Sequence, residues 1–184
     1  MLGWLSGVVA MFLVFAAGCV SPDVKTDFDP TVDFSRFKTF AFSGLTDLDQ
    51  RGMLDNSLMR QRLENMIGRE LQQKGLTQVG LEQNPDLLVH YWVGVKDKQQ
   101  LQSTGPGYGG YGYGWRAGYG GGVSTYEYRE GTLITDLVEP TKKNLVWRAT
   151  VVAELEDSTK ENVELSEKAL KKAFENYPPS NTKQ

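Results

Sequence analysis

Between residues 126 and 155 the chain alternates apolar and polar side chains in two runs, separated only by Glu139-Pro140-Thr141-Lys142-Lys143. Period-two alternation sends successive side chains to opposite faces of a strand. A break this short, with proline in it, predicts an antiparallel hairpin. Pairing Val138 with Asn144 would gather Leu133, Thr135, Leu137, Leu145, Trp147, Ala149, Val151 and Ala153 on one face, the expected core face. The other face would carry Ile134, Asp136, Val138, Val146, Arg148, Thr150, Val152 and Glu154, with Asp136 diagonal to Arg148 and able to pair with it across the strands.

Other segments take their places around this hairpin. Residues 34–42 (FSRFKTFAF) are aromatic and roughly alternating, which predicts a strand. Over residues 53–74 the period becomes helical: Met59, Leu63, Met66/Ile67 and Leu71 form one stripe. Gly75 sits where a helix end needs a positive φ, and Leu76 can fold back on the last turn. Residues 87–95 read as a strand with Leu87, Val89, Tyr91, Val93 and Val95 on one face and Leu88, His90 and Trp92 on the other. A polar loop follows over 96–104, then a tract over 105–122 in which ten glycines interleave with Tyr108, Tyr111, Tyr113, Trp115 and Tyr119. Asp157-Ser158-Thr159 opens a last helix by offering side-chain oxygens to free amides. Its stripe runs Val163, Ser166/Glu167, Leu170, Ala173/Phe174, Tyr177, and Pro178-Pro179 stops it.

The order is β-α-β-β-β-α. It predicts an α+β two-layer sandwich, a four-stranded mostly antiparallel sheet with two helices on it, forming one domain over 29–179. Residues 180–184 read as a frayed tail.

The amino-terminal end has a different character. Residues 1–18 carry no charged side chain, and Val8-Val9-Ala10-Met11-Phe12-Leu13-Val14-Phe15 is continuously apolar. That is the length of a signal-peptide core and shorter than the ~20 apolar residues of a stable span. Ala16-Ala17-Gly18 then present small side chains to a peptidase cleft, and the only cysteine of the chain, Cys19, follows at once. A lone thiol forms no internal disulfide, so its position needs another reason. The segment resembles the lipobox of bacterial lipoproteins. The resemblance implies cleavage between Gly18 and Cys19, diacylglycerol on the Cys19 sulfur and acylation of the new amino terminus, a stable membrane anchor. By resemblance to enterobacterial sorting, Val20-Ser21 in place of Asp favours the outer membrane. Residues 19–28 then read as a lipidated tether without periodicity.

Chemistry has few candidates. The net charge is −3 and scattered, without the basic stripe of a nucleic-acid binder. His90 is the only histidine, in mid-strand with no serine elbow beside it, so it reads as structural. With one His and the thiol committed to lipid, a zinc or copper site lacks ligands. Asp47-Leu48-Asp49 is too sparse for calcium. Glu127, Glu130 and Asp136 read as solvent-face acids, with Asp136 and Arg148 as a register-setting ion pair. The expectation is no enzyme, no cofactor and no metal. What remains is contact: the aromatic side chains of the glycine tract, and the outer sheet face with His90, Trp92, Asp136 and Arg148.

Several stretches are similar to a family of bacterial outer-membrane lipoproteins catalogued as domain of unknown function 4136. They are Asp33-Phe34-Ser35-Arg36-Phe37-Lys38-Thr39-Phe40-Ala41-Phe42, Leu71-Gln72-Gln73-Lys74-Gly75-Leu76, Pro85-Asp86-Leu87-Leu88-Val89, Glu130-Gly131-Thr132-Leu133-Ile134-Thr135-Asp136-Leu137, Leu145-Val146-Trp147-Arg148 and Tyr177-Pro178-Pro179. The resemblance implies the fold and no reaction. The element order is also similar to that of the outer membrane's lipopolysaccharide-assembly lipoprotein, a likeness of fold alone. The expected protein faces the periplasm from the outer membrane, held by lipid on Cys19, and meets an envelope protein; the alternative is a peptidoglycan or lipopolysaccharide glycan gripped by the aromatic tract.

Overall fold

The computed structural model describes residues 21–43, 57–103 and 123–179. The signal segment, Gly18, Cys19, the aromatic tract with Tyr108, Tyr111, Tyr113, Trp115 and Tyr119, and the tail at 180–184 lie outside the described residues.

Six strands form one mixed sheet: β1 (Asp23–Phe28), β2 (Thr39–Phe42), β3 (Thr77–Gln78), β4 (Leu87–Ser103), β5 (Val123–Glu139) and β6 (Asn144–Leu155). Their order is β1-β6-β5-β4-β2-β3, with β2 parallel to β3 and β4 and every other pair antiparallel. Helices α1 (Ser57–Gln73) and α2 (Thr159–Phe174) share one core with the sheet. The α+β class holds, but the four-stranded, mostly antiparallel sheet does not. Two edge strands were missed. Asp23–Phe28, read as tether, pairs along β6; Val24 packs on the core and Phe28 meets the Phe34 ring, while Asp23, Lys25 and Asp27 take the other face, and two apolar residues in six leave only a faint alternation. Thr77–Gln78 is too short to leave a pattern.

The first predicted strand is also shorter. Asp33 accepts from the Ser35 amide (3.0 Å) and hydroxyl (2.7 Å), capping a 3-10 turn over Phe34–Arg36 before β2 begins. Strands β4 and β5 run on instead through the expected polar loop to Ser103 and Val123. Beyond the row of Asp97 and Arg129, where β6 has ended at Leu155, they pair only with each other. At ~3.4 Å per residue this two-stranded ribbon projects about 20 Å past the sheet.

The hairpin register corrects a further expectation. The Lys143 amide donates to Pro140 carbonyl (3.3 Å) and Lys143 takes a left-handed φ of 52°, so the turn closes with Glu139 opposite Asn144. Val138 therefore faces Leu145, and a bulge follows, after which Leu137 faces Trp147 and Asp136 faces Arg148 directly. The bulge reverses two side chains. Val146 is buried completely, while Leu145, expected in the core, is 41% exposed. From Trp147 onward the shift from the expected pairing is two residues, which keeps every side chain on its expected face.

The core forms where apolar stripes converge. Helix α1 buries Leu63, Met66, Ile67 and Leu71, and α2 buries Ala169, Leu170, Ala173 and Phe174. Both meet Leu87, Val89 and Tyr91 of β4, Leu133 and Leu137 of β5, and Trp147, Ala149 and Val151 of β6. The α1 helix ends as its glycine predicts: Gly75 has φ 91°, its amide donates to Gln72 carbonyl (2.9 Å), and the Leu76 amide donates to Leu71 carbonyl (3.1 Å). The Ser158 side chain caps α2 from the Glu161 amide. Trp147, Phe174, Tyr177 and Phe34 close one end with ring centroids 4.8 to 5.9 Å apart across three contacts. Full burial of a large apolar side chain stabilises by roughly 1.5–3 kcal/mol, so this nest is a major part of the core.

Candidate interaction face

Strand alternation decides which side chains stand on the sheet face away from the helices. The register places His90 of β4, Asp136 of β5, Arg148 of β6 and Asp27 of β1 side by side in one row. The Arg148 guanidinium donates from Nε to Asp136 Oδ1 and from Nη2 to Oδ2, both at 2.6 Å. This forked geometry matches a carboxylate as no lysine can. The hydrogen bond to Asp136 raises the Arg148 pKa, desolvation opposes it, and the charges of Asp136 and Asp27 add to the rise.

At the other end of the row, His90 Nδ1 lies 2.8 Å from Ser43 Oγ, just past the end of β2. Sequence alone does not pair these residues, which are 47 positions apart. The parallel pairing of β2 with β4, Phe42 opposite Val89, brings them together. A serine beside a histidine has the first two parts of a nucleophilic triad. The third part is committed elsewhere, since both Asp136 oxygens are held by Arg148. Among the described residues no group of three or more His, Cys, Asp or Glu is placed to hold a metal ion.

One row along, Trp92 faces Ile134, which faces Thr150. A side chain at Gly94 would begin 2.1 Å from the Trp92 ring, so the indole occupies the space above that glycine and lies over the sheet. It stays 39% exposed. Further out, on the same face of β5, Tyr128 and Tyr126 stack with centroids 5.9 Å apart and planes 21° apart. The Tyr126 hydroxyl donates to Glu154 Oε1 (2.7 Å), and this bond, with the carboxylate charge, pushes the phenol up. Lys98 reaches Glu130 beside them at 3.4 Å.

The structure thus brings His90, Asp136 and Arg148 into one row with Trp92 in the next, all on the face expected for them. Sequence reasoning missed Ser43, Asp27, Gly94 and the Tyr126/Tyr128 pair. The tyrosines, two aromatics at period two, and Gly94, two residues beyond Trp92 on the same strand, left local signals, whereas the edge strand that brings Asp27 and the parallel pairing that brings Ser43 are long-range.

Where β2 and β4 begin, a second polar cluster is structural. Asp86 accepts from the Lys38 amide (2.8 Å), the Thr39 amide (2.9 Å) and the Thr39 hydroxyl (3.0 Å), and so joins β2 to the start of β4. Burial alone would raise this carboxyl, but the three donors outweigh it and hold it below the usual carboxylate range. Glu139, which is buried, is gripped by Arg36 Nη2 at 2.6 Å.

Solved structures share this architecture. A PDZ domain protein from Parabacteroides distasonis superposes with a TM-score of 0.56 at 18% identity, covering 87% of this chain and 37% of that one. This chain therefore spans little more than a third of that protein's length. A DUF4136 family protein from Bacteroides thetaiotaomicron superposes with a TM-score of 0.52 at 20% identity, covering 86% of this chain and 96% of that one. Identities this low show the fold alone. No curated protein matches the sequence. The sequence does match the domain of unknown function DUF4136 over residues 24–179, nearly all of the chain beyond Cys19, and the protein belongs to that family.

Proposed function

We propose that this protein is a lipid-anchored lipoprotein of the outer membrane, facing the periplasm, that acts in envelope assembly or maintenance by contact rather than catalysis. The carrying observation is Trp92, an aromatic ring 39% exposed in the middle of a sheet face that, among the described residues, no helix covers. An apolar ring kept in water on a rigid strand, with Ile134 facing it, is what a binding face requires. The row of Arg148, Asp136 and His90 beside it offers fixed polar partners.

The anchor rests on the uncharged apolar run and Cys19. Three residues lie between Cys19 and Asp23, the first residue of β1, and the four Cα-to-Cα steps reach at most ~14 Å. Asp23 shares its row with Val152, Thr132 and Gly94 at the base of the ribbon. Acylation would thus hold the ribbon end of the domain at the bilayer and leave the aromatic nest facing the periplasm.

The test is a photocrosslinking residue at Thr150, on the same face, in cells of the native host. Capture of one envelope protein, lost in Trp92→Ala, is expected; a crosslinking pattern unchanged by Trp92→Ala would refute the face. Radioactive palmitate tests the anchor: Cys19→Ser should carry no label and leave the membrane fraction.

A second reading has its own observation. Tyr126, 52% exposed and stacked on Tyr128 beside Glu154, stands on the ribbon that leads into the glycine-aromatic tract. Stacked rings with a carboxylate suit the apolar face and hydroxyls of a sugar. Under this reading the protein holds peptidoglycan or lipopolysaccharide glycan, and deleting 105–122 abolishes glycan retention without lowering thermal stability.

A further inference from the structure

The helix layer stops short of the apolar sheet surface that it covers. On the helix-bearing face the row Val93–Leu133–Val151 is followed by Val95–Gly131–Ala153, at the ribbon base. Leu133 and Val151 are buried, whereas Val93, Val95, Ala153 and Leu155 are only half-buried. Among the described residues, a groove of about 320 Å³ lies between these rows and the first turns of the two helices, walled by Met59, Leu63, Val93 and Leu165. Its floor is made of small residues. Gly131 has no side chain and Ala153 only a methyl, so the hollow is written into the sequence at the row where a leucine would close it. A Cβ at Gly131 would meet Leu155 Cδ2 at 2.8 Å, which shows how closely that side chain crosses the floor.

We propose that this groove takes one acyl chain of a phospholipid. Three observations point to that occupant. The lining is predominantly aliphatic, and the volume is at the small end of the ~300–1,000 Å³ that ligand pockets span, room for the greater part of one chain and not for two. The mouth carries Arg62 and Arg129 together with Glu156 and Asp157, a mixed set that complements a zwitterionic head group: arginines for the phosphate, acids for the amine. Arg129 and Asp157 lie 3.5 Å apart and are exposed, so either can turn to a ligand. The chain also enters the fold beside this groove. Asp23 stands one row from Val95–Gly131–Ala153, and the Lys172 ammonium donates to the Pro22 carbonyl at 3.5 Å, which brings Pro22 to the helix-bearing side. The bilayer as the source of the lipid rests on the anchored reading above; the groove itself does not.

The test uses the full chain, purified from its own envelope and reconstituted into phosphatidylethanolamine vesicles with a minor share of phosphatidylglycerol. A trace of the phosphatidylethanolamine carries a diazirine in its acyl chain. After irradiation, label should map to peptides holding Met59, Leu63, Val95 and Leu165. Ala153→Leu, which fills the floor, should lower it about tenfold, an effect of one large apolar side chain on affinity. Thr150→Leu, on the opposite face, should leave it unchanged. Circular dichroism and thermal unfolding confirm that each variant is folded; if Ala153→Leu fails this check, Val95→Trp replaces it at the mouth. Label absent from the groove peptides, or equal in wild type and the filled variant, overturns the proposal. The mass of the amino-terminal peptide in the same sample reads the anchor separately. An acylated chain with no groove label refutes the groove alone. A chain without acyl groups that still labels refutes the anchor and leaves the groove standing.

Discussion

Arg148 holds both carboxylate oxygens of Asp136 from the directly facing position on the neighbouring strand, at 2.6 Å each. The pair lies on the helix-free face, where the Arg148 side chain is 46% exposed and the Asp136 side chain 19%. Solvent screening limits its worth, so Arg148→Ala should destabilise by about 1 kcal/mol in urea unfolding. Arg148→Lys should recover less than half of this, because an ammonium cannot fork onto both oxygens. A double-mutant cycle with Asp136→Asn should give a coupling of about 0.5–1 kcal/mol.

Asp86 makes the fold sensitive to acid. Its folded pKa lies below the ordinary carboxylate value, so the native state favours the charged form. Its contribution is fully present above the unfolded pKa of about 3.9 and is lost as pH falls through the lower folded value. Asp86→Asn should cost about 2 kcal/mol at pH 7, from weakened charge-assisted hydrogen bonds. It should also flatten the acid limb of a stability-against-pH curve below about pH 4. An acid limb unchanged from wild type would mean that other carboxylates govern it.

Gly75 turns the chain out of α1 with φ 91°, and nothing lies within 4 Å of where its Cβ would be. Strain alone therefore sets the cost of a side chain there. Gly75→Ala should destabilise by about 1 kcal/mol, and Gly75→Asn by less, since asparagine tolerates the left-handed region. Thermal unfolding of the two variants checks the order.

Trp92 separates contact from stability. With the ring 39% exposed, Trp92→Ala should cost less than the ~3–5 kcal/mol of a buried tryptophan, about 1 kcal/mol, while abolishing partner capture through Thr150. Gly94→Val should do the same by a different route, displacing the indole from the space it occupies. Capture that survives both changes would move the binding face elsewhere.

The hydrophobic periods of 87–95, 126–138, 144–155 and both helices were legible because each describes a single element with one buried side. So was the face carried by His90, Trp92, Asp136 and Arg148, since period two decides sides without knowledge of register. The local punctuation read equally well: Gly75 and Leu76 close α1, and Ser158 caps α2, through bonds that span a few residues. Two edge strands escaped, one of them marked only by Val24 and Phe28 on its core side and the other two residues long.

What the chain determined by itself is everything that one strand or one helix can encode: its sides, its ends, the hairpin at 139–143, and the lone Cys19 after an uncharged run. What only the tertiary structure decided is adjacency between distant segments. The left-handed Lys143 and the bulge after it chose Val146 over Leu145 for the core and set Asp136 squarely against Arg148. Parallel pairing of β2 with β4 carried Ser43 to His90 and Thr39 to Asp86. The physical reason is that a residue's own pattern reports the medium on each side of it, apolar or wet, whereas its neighbour across a sheet depends on the turn geometry and packing that align two strands.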